Sequence, residues 1–172
     1  MLTVYAFSAD NWRRPEVEVK ALMRLLRSYL VYETDRCITE GVRIQFVGRR
    51  DRLSKVLVET MEMAEARTRD GARLTLRIAL DYSSRDALVQ AAQKMAERGR
   101  FDRQAMDEAL EAEDIDLVIR TAGEQRLSNF LPWQANYAEY VTAPALWPDF
   151  TVADYRAALK EFQGRERRFG SV

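Results

Sequence analysis

Apolar positions along the chain switch between two spacings. Leu2-Thr3-Val4-Tyr5-Ala6-Phe7 is a β-prone run that ends in Ser8-Ala9-Asp10-Asn11, a loop leaving the C-terminal end of a strand. Pro15 suits the first turn of a helix, with Glu16 and Glu18 near its positive end. Leu22, Leu25, Leu26, Tyr29 and Leu30 then recur at helical spacing, and Gly41 marks the exit. Residues 42–47 alternate as a second strand, stopped at Gly48. Asp51 stands where it would cap a helix carrying Leu53, Val56, Leu57, Met61 and Ala64. After Gly71, Leu74, Leu76, Ile78 and Leu80 predict a third strand. A helix over residues 86–96 carries Leu88, Ala91, Ala92 and Met95, and a shorter one covers 103–111. Residues 116–120 predict a fourth strand, and helices are expected over 130–140 and 152–162.

Strand and helix alternate throughout, with no repeat, low-complexity tract or linker. The expectation is one α/β domain over residues 1–172, with a mostly parallel central sheet and helices on both faces. Such sheets bind ligands at the C-terminal ends of their strands. Residues 8–14 and 120–128 leave the first and fourth strands and are expected on one rim.

Composition narrows the chemistry. Lys+Arg and Asp+Glu both total 27, a zero net charge that disfavours nucleic acid as a partner. With no histidine and one cysteine, Cys37, the chain has no Ser-His-Asp triad, Cys-His pair, His-rich zinc site or intrachain disulfide. A metal here must be held by oxygen, which points to magnesium. No apolar run is long enough to span a bilayer, so a cytoplasmic location is expected.

Arg120, Arg126 and Ser128 put two guanidinium groups and a hydroxyl on one loop, a set that can converge on a diphosphate. A surface ion pair of Arg126 with Glu124 is the alternative. Glu139, among aromatic neighbours in Asn136-Tyr137-Ala138-Glu139-Tyr140, is either a magnesium ligand or a surface charge. Asn11, Trp12 and Arg14 offer an amide, a large apolar cover and an anion partner, or else a cap and a core lid. Arg165-Glu166-Arg167-Arg168 followed by Phe169-Gly170 is either a solvated basic tail or an arm that reaches another subunit.

These segments, in order, resemble the undecaprenyl diphosphate synthase family of cis-prenyltransferases. The residues that carry the likeness are Leu2-Thr3-Val4-Tyr5-Ala6-Phe7-Ser8, Asn11-Trp12-Arg13-Arg14-Pro15 and Asp116-Leu117-Val118-Ile119-Arg120-Thr121. It continues through Gly123-Glu124, Arg126-Leu127-Ser128-Asn129-Phe130, Trp133-Gln134, Tyr137-Ala138-Glu139, Leu146-Trp147-Pro148-Asp149-Phe150 and the tail around Arg168 and Gly170. The resemblance implies condensation of isopentenyl diphosphate with an allylic diphosphate such as farnesyl diphosphate, giving a polyprenyl diphosphate for cell-wall assembly. It implies that Ser8, Arg14, Arg120, Arg126 and Ser128 bind substrate diphosphates. Glu139 is then associated with Mg2+, and Asn11 and Trp12 belong to a catalytic loop. Arg168 and Gly170 complete a neighbouring site in a homodimer. An apolar tunnel is implied, with the helix of Leu22–Leu30 as one wall and Ala6 near its mouth, as is transient contact with a membrane surface on product release.

Three departures qualify it. The family's opening strand, of the type Ile-Met-Asp-Gly-Asn-Gly-Arg-Trp, has no counterpart in these residues, so a chain lacking its first strand and N-terminally incomplete is expected, with little activity alone. A non-catalytic subunit serving an active homologue is the rival expectation. Ala122 and Gln125 replace a usual glycine and histidine, and Asp81-Tyr82-Ser83-Ser84-Arg85 stands for Asn-Tyr-Gly-Gly-Arg.

Overall fold

A computed structural model of the chain describes residues 1–111 and 113–168. Its internal contacts gather into two compact units, Met1–Ala87 and Leu88–Val172.

The first unit contains β1 (Leu2–Ser8), a short 3-10 turn (Ala9–Arg13), α1 (Glu16–Thr39), β2 (Val42–Val47), α2 (Lys55–Thr68) and β3 (Leu74–Tyr82). All three strands are parallel, in the order β1-β3-β2. The alternation seen in the sequence fixes the register: Val4, Ile44, Phe46, Leu76, Ile78 and Leu80 share a core with Val19, Leu26 and Leu30 of α1 and Leu57, Met61 and Ala64 of α2. Helix-to-strand connections of this kind are what parallel pairing requires. Where β1 ends, its register with β3 slips twice: Tyr5 faces Ala79, Phe7 faces Leu80 and Ser8 faces Tyr82. Ala6 on β1 and Asp81 on β3 are thus skipped, as bulged residues are.

The two edges of this sheet differ. Along β2, the Ile44 N–H donates to Thr68 Oγ1 (3.0 Å) and the Phe46 N–H to Glu65 Oε1 (2.8 Å), so α2 caps that edge. β1 pairs only with β3 among the described residues.

The second unit holds most of α3 (Ser84–Arg98), α4 (Arg103–Leu110), the parallel pair β4 (Leu117–Arg120) and β5 (Glu139–Thr142), and α5 (Val152–Gln163). α3 and α4 share a small core of Ala91, Met95, Ala105 and Ala109. The predicted parallel α/β architecture is present, its hydrogen-bonded strands falling into a three-stranded and a two-stranded sheet.

Two local expectations are corrected. Ser54, not Asp51, caps α2, accepting from the Leu57 N–H, while Asp51 pairs with Arg49 at 2.9 Å. Residues 130–140 do not form a helix. Ser128, Asn129 and Leu131 take left-handed backbone (φ 50, 64 and 49°), and Pro132 disfavours helical backbone at Leu131 as well. The chain turns there and enters β5. Of the residues expected along an apolar wall, Leu26 and Leu30 pack into the core, whereas Leu22, Leu25 and Tyr29 are exposed.

Candidate functional site

β4 and β5 pair Val118 with Tyr140 and Arg120 with Thr142. Side chains alternate along a strand, so these four share one face and Leu117, Ile119, Glu139 and Val141 share the other. Val118, Arg120, Tyr140 and Thr142 form the floor of a cleft of about 290 Å³, walled by Glu124, Gln125, Arg126 and Leu127. Arg120 and Arg126 therefore open into the same space, as the sequence led one to expect.

The cleft's rim is held by backbone. Ala143 N donates to Arg120 O (2.8 Å), Ala122 N to Ala145 O (2.8 Å) and Gly123 N to Ala143 O (2.9 Å). Ala122 and Gly123 are left-handed, with φ 63 and 65°. Glycine takes that conformation freely; alanine does so at a cost. The loop thus spends conformational energy to bring residues 124–127 back over the strand ends.

Charge within the cleft is unevenly satisfied. Arg126 pairs with Glu124. Arg120 Nε is buried and has no hydrogen-bond partner among the described residues. A buried, unpaired donor on a cation costs free energy unless an acceptor arrives. Burial pushes the Tyr140 phenol above its ordinary value, and its hydroxyl donates to Ala135 O at 3.4 Å.

Other expected site residues lie elsewhere. Ser128 is exposed and does not line the cleft. Glu139 stands on the opposite face of the strand pair, where its Oε2 accepts from Arg165 Nη1 at 2.8 Å. That contact, with Glu161 adding to it, raises the Arg165 pKa further. Among the described residues no group of three metal-ligating side chains comes together. Because Glu139 is held by Arg165 and faces away from the cleft, these residues do not fit a Mg2+ site there. Arg168 lies beside Glu166 at 3.5 Å, and Gly170 falls outside the described residues.

In the first unit, the loop after β1 is built by local bonds. Ser8 Oγ accepts from Asp10 N (3.2 Å), and Asn11 Oδ1 accepts from Ser8 N (3.0 Å), a reciprocal cap. Arg14 pairs with Glu18 at 2.6 Å. Trp12 packs edge-on to Phe7, and its Nε1–H donates to Asp81 Oδ1 at 2.8 Å. Sequence reasoning missed Tyr140 and Thr142, because the helix expected over residues 130–140 hid the start of the β-prone run Tyr140-Val141-Thr142. It also missed the anchoring role of Asp81, whose signal was a charge ending an apolar strand.

Comparison with known proteins bears on family and fold. The family model for undecaprenyl diphosphate synthase matches residues 1–170. Isoprenyl transferase 1 of Bradyrhizobium diazoefficiens is 49% identical over 175 residues, covering 99% of this chain and 71% of that protein. Isoprenyl transferase of Aquifex aeolicus is 42% identical, covering 99% and 76%. The crystal structure of a probable undecaprenyl diphosphate synthase from Campylobacter jejuni superposes with a TM-score of 0.93 at 32% identity, covering 99% of this chain and 83% of that one. Lavandulyl diphosphate synthase from Lavandula x intermedia, solved with dimethylallyl diphosphate, gives the same TM-score and identity over 99% and 78%.

A parallel α/β chain with such relatives is a transferase, specifically a prenyltransferase. It belongs to the undecaprenyl diphosphate synthase family of cis-prenyltransferases. No helix among the described residues is long and apolar enough to cross a membrane.

Proposed function

We propose that this prenyltransferase condenses isopentenyl diphosphate with an allylic diphosphate, farnesyl diphosphate in particular, to give a polyprenyl diphosphate, the precursor of a lipid carrier for cell-wall assembly. The observation that carries this reading is the cleft lined by both Arg126 and Arg120, whose Nε has no hydrogen-bond partner among the described residues. Two guanidinium groups match a diphosphate's oxygens in bidentate fashion, and Thr142 adds a hydroxyl donor. We assign isopentenyl diphosphate to this cleft. Donors fixed before the reaction are usually the largest catalytic contribution where charge develops. Asn11 and Trp12, with Ser8 and Arg14, serve the allylic substrate, Trp12 as the apolar cover that keeps water from a cationic centre. The lavandulyl relative holds an allylic diphosphate, which favours this substrate class.

The reading extends to a cytoplasmic homodimer that meets a membrane surface when product leaves, with Ser128, Arg168 and Gly170 completing diphosphate sites. Mg2+ belongs to it as the ion that accompanies diphosphate when substrate binds, Glu139 staying paired with Arg165 outside the cleft. The 172 residues contain no Asp-Gly-Asn-Gly-Arg run. Assayed by themselves they are expected to turn over little. That observation also favours the second reading, a subunit that binds isopentenyl diphosphate for an active homologue.

Incorporation of radiolabelled isopentenyl diphosphate into a farnesyl-primed product tests both. Turnover by the 172 residues alone at ordinary enzyme rates, about 1 s⁻¹ or more, overturns the low-activity expectation. Turnover that appears only when a homologue is added, and that Arg120→Ala abolishes, favours the subunit reading.

A further inference from the structure

Asp81 is the most enclosed charged side chain in the first unit, with 1% of its surface exposed. It sits where the register of β3 slips, in left-handed backbone with φ 49°. Aspartate tolerates that region better than most residues, yet a strained conformation at a strand end persists only when its surroundings hold it. Here they do so from two sides. Trp12, from the loop after β1, donates its indole N–H to Oδ1. Arg52, from the loop after β2, donates Nε to Oδ2 at 2.9 Å and Nη2 to Oδ1. The Asp81 carbonyl also accepts from Arg49 N at 3.1 Å. Arg52 further lies over the Trp12 ring, 5.3 Å from its centroid, and Phe7 packs edge-on to the same ring. Burying a carboxylate is costly unless a cation and hydrogen bonds accompany it, and both are supplied.

We propose that Asp81, with Arg52 as its counter-ion, is a positioning residue: it fixes the indole of Trp12 and thereby orders the loop of residues 8–14. The bulge turns the carboxylate toward the two neighbouring strand ends, so one side chain ties together the exits of all three strands. Its consequence for catalysis rests on the assignment of Asn11 and Trp12 to the allylic site, but the clamp itself stands on the contacts above.

The test uses the full chain. The indole N–H signal of Trp12, one of three tryptophans, is assigned by its loss in Trp12→Phe, and its hydrogen exchange is measured. Asp81→Gly removes the carboxylate while suiting left-handed backbone, and is expected to speed exchange at least about tenfold. Asp81→Asn keeps an acceptor without charge; it is expected to shift the signal and speed exchange only severalfold, restoring most of the protection. That graded series is not produced by a general loss of stability, which would also speed exchange at Trp133, whose indole N–H donates to Asp107 Oδ1 at 2.8 Å. Unchanged Trp12 exchange in both variants overturns the clamp. If Asp81→Gly does not fold, Asp81→Asn alone decides: an unmoved signal and unmoved exchange overturn it. Faster exchange with unaltered affinity for farnesyl diphosphate upholds the clamp and overturns instead the assignment of Trp12 to the allylic site.

Discussion

Arg120 and Glu139 stand at opposite ends and on opposite faces of the β4–β5 pair. Arg120 pairs with Thr142 and Glu139 with Leu117, three residues apart along each strand, or about 10 Å. The carboxylate is occupied by Arg165 rather than directed at the cleft. Glu139→Gln is therefore expected to leave the affinity for isopentenyl diphosphate within about twofold in the absence of metal, because it loses a contact outside the cleft. Calorimetric titration checks this; a loss as large as that of an arginine variant would place Glu139 in the anion site.

Glu124 competes for the cleft's second cation. The Arg126–Glu124 pair is largely exposed, so its net strength is small, and a diphosphate must displace it. Glu124→Gln is expected to tighten isopentenyl diphosphate binding by about two- to fivefold. Weaker binding would mean that the carboxylate orients Arg126 productively.

Gly48 lies at the end of β2 with φ 120°, and a Cβ there would sit 2.0 Å from the Leu80 carbonyl oxygen. No flexible side chain can yield, since the obstacle is backbone. Gly48→Ala is expected to destabilise the fold by about 3 kcal/mol, adding strain to steric overlap. Denaturant unfolding measures it, and a change under about 1 kcal/mol would contradict the packing described.

Tyr82 provides a pH-dependent test. Burial raises its phenol to about 12, with Tyr5 reinforcing the shift. A folded-state value above the unfolded one, near 10, means the contribution is complete below that pH and is lost as pH rises toward 12. Tyr82→Phe is expected to flatten the fall in stability across this window, by on the order of 2–3 kcal/mol at the upper end. An unchanged alkaline limb would show that Tyr82 ionises as freely in the folded chain as in the unfolded one.

Much of the fold was legible because binary pattern and strand alternation agree. The strands around Val4, Ile44, Ile78 and Ile119 and the helices of Leu30, Met61 and Met95 lie where the spacing put them. Residues 130–140 misled because Ala135, Tyr137 and Ala138 suit a helix locally. Their path is set instead by left-handed backbone at Ser128, Asn129 and Leu131, which no side-chain pattern announces. Within the site, the shared cleft of Arg120 and Arg126 was readable from two arginines on one post-strand loop, and so was the ion pair of Arg126 with Glu124. The bond from Trp12 to Asp81 joins residues 69 apart in sequence, and its geometry depends on a bulge. Local periodicity carries no trace of such a contact.

Calorimetric titration of isopentenyl diphosphate into the chain and into its Arg120→Ala and Arg126→Ala variants bears on the central claim most directly. Two guanidinium groups sharing one diphosphate predict that each variant loses at least about tenfold in affinity, with the larger loss at Arg120, whose Nε is buried and unpartnered. Undiminished binding in both variants would contradict the account.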